Sequence, residues 1–114
     1  MADYGPYIGE VDSVHDGDTV NVILDVGFDL SIYTRCRVFG INAPEIKTPE
    51  GKAAREFARK VLKKGTRVSV LSKGWDKFGG RIDAVIMIKG VDFAQKMIAA
   101  GHAKAWDGKG ARPT

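Results

Sequence analysis

Cysteine occurs once, at Cys36, and histidine twice, at His15 and His102. One cysteine excludes an intramolecular disulfide and a cysteine-ligated zinc centre, and two histidines are too few for a histidine-rich metal site. No apolar run approaches the roughly 18 residues of a membrane span. The opening MADYGPY has neither the basic start nor the apolar stretch of a secretory signal. These absences point to a reducing, cytoplasmic setting without a membrane partner. Lysine and arginine are missing from residues 1–34, which hold seven acids, whereas residues 35–114 hold all eighteen basic residues against seven acids. The net charge of +4 thus divides into an acidic segment suited to a cation and a basic remainder suited to a polyanion. An amphipathic basic helix and chance would produce the same division.

The 114 residues contain no linker, low-complexity segment or internal repeat, so a single domain over 1–114 is expected, with its core at about 7–106. Tyr7–Val14 reads as a strand. In Thr19–Val26, Val20, Val22, Leu24 and Val26 alternate with polar positions, and in Leu30–Phe39 Ile32, Thr34, Cys36 and Val38 do the same. Gly27-Phe28-Asp29 joins them as a hairpin turn. Tyr33, Arg35 and Arg37 then share the outer face. Gly40–Thr48 is a loop, and Thr48-Pro49 caps a basic amphipathic helix running to about Lys64 and stopped by Gly65. Strands at Arg67–Ser72 and Arg81–Ile88 follow, separated by a glycine-rich turn, and a short helix runs from Asp92 to Ala100. This content is mainly β with α (α+β). It suits a five-stranded OB-fold barrel with two to three short helices, an architecture that commonly binds oligonucleotides.

Three runs carry candidate chemistry: HDGDT at 15–19, RCRVFGINAPE at 35–45 and DKFGGR at 76–81. They supply carboxylates for a hard metal ion (Asp16, Asp18), a further carboxylate to work on water (Glu45), and guanidiniums for a phosphate (Arg35, Arg37, Arg81). Taken singly, each run has a blander reading. Asp-Gly-Asp favours a plain turn; the arginines on a strand face can be solvated charges; Pro44-Glu45 can be a loop with a surface acid; and Gly79-Gly80-Arg81 can be a bare hairpin. His15 reads as a surface or metal-neighbouring residue, and Cys36, alternating with apolar neighbours, reads as a buried thiol rather than a nucleophile.

In order and spacing, DGDTV at 16–20, RCRVFGINAPE at 35–45, EGKAAREFA at 50–58, DKFGGR at 76–81 and AQKMIAAGHAKA at 94–105 resemble the staphylococcal nuclease, or thermonuclease, family over about residues 8–106. The resemblance implies a calcium-dependent nuclease of DNA and RNA with little sequence preference that leaves 3′-phosphate ends. Nothing in the sequence specifies a dimer interface or an obligate protein partner, so a monomer is expected. The resemblance also implies Asp18, Asn42 and the Ala43 carbonyl as metal ligands; Arg37 and Arg81 on the phosphate; Glu45 on the attacking water; and Lys77 and Phe78 against the nucleotide. Arg35 is not fixed by the resemblance and reads as a salt-bridge residue or one that steers the substrate's phosphate. Asn42 stands where the family usually has an aspartate, removing one negative charge from a site whose cation affinity depends on charge. Phe78 replaces a tyrosine, and the chain stops soon after Trp106, without the longer C-terminal segment of the secreted enzymes. A non-catalytic nucleic-acid binding module with a weakened metal site is the alternative that Asn42 keeps open.

Overall fold

Two alternating runs joined by a two-residue turn start the architecture. A computed structural model describes residues 3–76 and 79–106. Strands β1 (Tyr4–Asp16), β2 (Thr19–Gly27) and β3 (Leu30–Val38) form an antiparallel meander. Val20, Val22 and Leu24 of β2 and Cys36 and Val38 of β3 face inward and are buried, as their period-2 pattern requires. Phe28 and Asp29 at the hairpin tip both hold positive φ, 57° and 58°. That is the backbone of the tight hairpin turn whose twist matches the flanking strands.

The chain then crosses over through β4 (Ile41–Asn42), α1 (Pro49–Val61), β5 (Arg67–Trp75), β6 (Ile82–Ile88), β7 (Val91–Asp92), α2 (Phe93–Ala99) and β8 (Lys104–Ala105). β5 pairs antiparallel with both β1 and β6, and β6 closes the circle by pairing parallel to β3 through Cys36–Ile82, Arg37–Asp83 and Val38–Ala84. The result is a closed five-stranded barrel of β1, β2, β3, β5 and β6 with two helices, an OB-fold of the α+β class. Register shifts in β1 between Val11 and Ser13 and between Val14 and Asp16 bend it enough to serve two neighbours. β4 and β8 form a separate two-stranded sheet that ties the loop after β3 to the C-terminal segment. These two-residue strands are too short to show any periodicity in the sequence.

The barrel interior and the helix faces share one core, built around Val11, Val22, Val38, Val70, Ile86, Leu62, Phe93 and Met97. The Thr48 hydroxyl accepts from Gly51 N–H at 3.0 Å as the N-cap of α1, as expected. The helix ends at Val61, one turn before the expected Lys64. The reason lies in packing: Leu62 leaves helical geometry (φ −112°, ψ 66°) to bury itself at 1% exposure, and Gly65 N–H then donates to the Val11 carbonyl at 2.7 Å. The Asp92 side chain caps α2 through Ala94 N–H. No helix among the described residues is long and apolar enough to cross a membrane.

Candidate functional site

The tight turn between β1 and β2 presents two carboxylates on adjacent sides. Asp16 Oδ1 accepts from Asp18 N–H at 3.0 Å, and Asp18 Oδ2 accepts from Ala43 N–H at 3.0 Å. Gly17 allows this, because a Cβ there would press on the Ala43 and Ala54 side chains and on Met97. The turn is thereby fastened to the loop after β4, to α1 and to α2 at once. Burial first, and then the neighbouring Asp16, raise the Asp18 carboxyl, and the Ala43 N–H and the Arg37 guanidinium oppose the shift without cancelling it, leaving it at about 6.

Arg37 reaches across from β3. Its Nη2 stands 3.8 Å from Asp18 Oδ2 and donates to the Ile41 carbonyl at 2.9 Å, while Nη1 donates to the Val38 carbonyl at 3.1 Å. Trp106 covers it, with the guanidinium carbon 5.3 Å from the ring centroid and Trp106 N–H donating to the Gly40 carbonyl at 2.8 Å. Trp106 therefore packs on the barrel side of the site, through an arginine rather than through an apolar wall.

Arg81 comes from the turn between β5 and β6. Its Nε donates to the buried Asp76 Oδ2 at 2.7 Å, and Asp76 N–H donates back to the Arg81 carbonyl at 2.8 Å. Because Nε makes that bond, the two terminal nitrogens of Arg81 have no partner among the described residues. On the parallel seam Arg37 lies opposite Asp83. Burial raises the Asp83 carboxyl; Arg37 lowers it, Asp76 raises it and Arg81 lowers it. Arg81 stands two residues before Asp83, at the entry of the strand that pairs with β3 at Arg37, so closure of the barrel brings Arg37 and Arg81 to a common region.

Glu45 lies two residues beyond Ala43, in a loop held by its own carbonyl, which accepts from the Thr48 hydroxyl at 2.7 Å and from Thr48 N–H at 3.0 Å. Gly51 packs against that carbonyl so closely that a Cβ would fall on it. The Glu45 side chain is 63% exposed and pairs with Lys47 at 3.4 Å. Among the described residues no bond joins it to Asp18, Arg37 or Arg81. Asn42 is half-buried on β4. Arg35 forms no salt bridge with a carboxylate among the described residues; its Nε donates to Asn21 Oδ1 at 3.0 Å, and Asn21 in turn donates to the Ser13 hydroxyl. Lys77 and Phe78 lie outside the described residues. Cys36 is fully buried, with its thiol pushed up to about 12 by that burial.

Sequence reasoning gave no role to Asp76 or Asp83. Asp76 was legible as the first residue of the glycine-rich turn, five before Arg81. Asp83 becomes visible only once β6 is known to lie parallel to β3. Among the described residues no three side chains of His, Cys, Asp and Glu gather to hold a metal. The donors brought together are the Asp16 and Asp18 carboxylates, and the Asp18–Ala43 bond ties to them the loop segment that also carries Asn42 and the Ala43 carbonyl. This all-oxygen set, with a buried carboxyl held above its ordinary range partly by a second one, fits a hard divalent cation and does not fit zinc.

A closed OB barrel is an architecture that commonly meets nucleic acid, and here it carries two guanidiniums and a carboxylate pair. The chain belongs to a specific family of that class: the model for staphylococcal nuclease homologues matches residues 35–112. The family is one of nuclease-like domains that bind nucleic acid. The match contains Arg37, Glu45 and Arg81 and begins after the Asp16–Asp18 turn, which is joined to it by the Asp18–Ala43 bond. No curated protein matches the chain.

Proposed function

We infer that the protein is a metal-dependent nuclease that hydrolyses phosphodiester bonds of DNA or RNA with little sequence preference. The observation that carries this reading is the approach of Arg37 and Arg81 to one region of the β3–β6 seam, beside the Asp16–Asp18 turn. A phosphodiester is anionic and resists attack by water, so a site must balance its charge and stabilise the extra charge of the transition state. Arg37 and Arg81 hold the phosphate oxygens and remain charged at any working pH. Asp18, with Asp16, Asn42 and the Ala43 carbonyl, would hold calcium, which supplies additional positive charge to the phosphate when bound. Glu45 takes the proton of the attacking water, or orients that water, as the 5′-oxygen departs and a 3′-phosphate remains. A general base of this kind contributes about 10²–10⁴-fold.

One observation favours a second reading, a binding module without catalysis: the Glu45 carboxylate rests on Lys47 and reaches neither arginine. Labelled single-stranded DNA incubated with calcium, with magnesium and with chelator separates the two. Calcium-dependent cutting to 3′-phosphate ends, abolished in Glu45→Gln with binding retained, is the expected result. Strand binding without product in every metal leaves the binding module.

A further inference from the structure

The outer face of the β3–β6 seam carries one acid that the chemistry above leaves unused. Along β6 the buried Ile82, Ala84, Ile86 and Ile88 alternate with Asp83, Val85 and Met87, so Asp83 faces outward. Arg37, set between buried Cys36 and Val38, faces outward on β3, and the two residues are ladder partners. Neighbouring strands stand about 4.8 Å apart. Arg81 precedes Asp83 by two residues, at the entry to β6. Burial raises the Asp83 carboxyl, and the charges that act on it are those of Arg37, Asp76 and Arg81.

Asp83 is not what holds either guanidinium. Arg37 is held by the Val38 and Ile41 carbonyls, and Arg81 is held by Asp76. Among the described residues Asp83 takes part in no hydrogen bond and no ion pair. It joins no group of acids that could hold a metal, since none forms among the described residues. A half-buried carboxylate thus stands beside two cations and bonds neither. Its negative charge acts at a distance, on whatever the guanidiniums hold. Such repulsion grows with the charge of the ligand. A diester within a strand carries one negative charge, whereas a terminal phosphomonoester, with its second pKa near 6, carries almost two at pH 8.

We propose that Asp83 is a specificity-determining residue, a charge filter that makes the Arg37–Arg81 phosphate seat disfavour a dianionic terminal phosphate relative to the monoanionic diester of a strand. This rests on the phosphate-binding role given to the two arginines above and adds a rule of selection to it. The seat then favours internal linkages over phosphorylated chain ends. It also lets go of a terminal phosphate once cutting has made one.

The test is competition, in chelator at pH 8, of a nucleoside 3′-phosphate and of its methyl ester against a labelled single strand. The two competitors differ by about one charge on the same phosphorus. Asp83→Asn should shift the preference toward the dianion by about three- to tenfold, the effect of one unit charge about 6–8 Å away in partly screened surroundings. The shift should shrink as salt is raised, because the filter acts across a distance. Asp83→Glu should keep the wild-type preference. Asp29→Asn removes the same charge at the β2–β3 hairpin tip, about 25 Å from Arg37 at the rise of a strand, and should not move it. Equal gains for both competitors would mean that Asp83 merely shapes the site, and would overturn the proposal. An unchanged preference, or the same shift in Asp29→Asn, overturns it too. If Asp83→Asn does not fold, Asp83→Ser removes the same charge and is read in the same way. Cleavage in calcium with an unchanged preference sinks the filter and leaves the nuclease standing. A shifted preference without cleavage in any metal does the reverse. Failure of both competitors to displace the strand removes the phosphate seat, and the filter with it.

Discussion

At Asp18 the folded chain holds a proton more tightly than the unfolded chain does. Burial and Asp16 lift its carboxyl from 3.8 to about 6. The stability this provides is fully present below about pH 4 and is lost as the pH climbs through about 6. Above that, the ionised carboxylate is kept in place at a cost of about 1–3 kcal/mol. In chelator, Asp18→Asn should therefore be the more stable protein at pH 7.5 in urea unfolding, and its stability should change less than wild type between pH 4 and 7. Added calcium should stabilise wild type and leave the variant unmoved. Equal pH slopes for the two proteins would mean that Asp18 does not carry this strain. Arg81 gives a second residue-scale expectation. Asp76 fixes its Nε, so Asp76→Asn should lower kcat/KM by about tenfold, and adding it to Arg81→Ala should cost little more, as for residues acting through one another. Additive losses would show that Asp76 acts elsewhere.

At the scale of elements, the Glu45 loop and the first turn of α1 form one unit. The Thr48 hydroxyl caps Gly51 and holds the Glu45 carbonyl, and Gly51 leaves room for that carbonyl. Gly51→Ala should displace the loop, lowering cleavage by far more than its loss of stability, about 1–3 kcal/mol for overpacking, would produce. A variant destabilised by that amount but cutting at the wild-type rate would show that Glu45 need not be held. The sequence reveals much of this unit and little of its surroundings. Thr48-Pro49 announces the helix start, and alternation over Thr19–Val26 announces the inward face of β2, because caps and strand faces are local. The helix stop is set by Leu62 seeking the core, a tertiary effect stronger than the helical preference of Lys63 and Lys64. The Asp76–Arg81 pair lies within a short turn and the motif that contains it was visible, yet its pairing is a matter of side-chain direction. The proximity of Arg37 and Arg81 depends on the parallel β3–β6 contact between residues over 40 apart in sequence. Periodicity cannot report such a contact.

Across the whole molecule, charge is arranged by location as well as by sign. The acids of the first 34 residues include the Asp16–Asp18 pair, and the basic residues divide between the barrel seam and α1. The N-cap of α1 adjoins the Glu45 loop, and its basic last turn, with Arg59 and Lys60, runs away from it along β1. At 1.5 Å per residue, the end of α1 at Val61 stands about 20 Å from that cap, beyond the roughly 8–10 Å over which exposed charges act in physiological salt, and Lys63 and Lys64 follow it in the chain. They should therefore add nothing to binding of a short strand. The salt dependence of affinity separates the two groups, because each neutralised phosphate on a single strand contributes a slope of about −0.7 in log K against log salt. Measured with a short oligonucleotide in chelator, Arg81→Ala should reduce the slope by about that amount. Replacing Lys60, Lys63 and Lys64 together with glutamine should leave it unchanged. If the lysine variant loses slope and Arg81→Ala does not, the strand lies along α1, and the site belongs there rather than at the barrel seam.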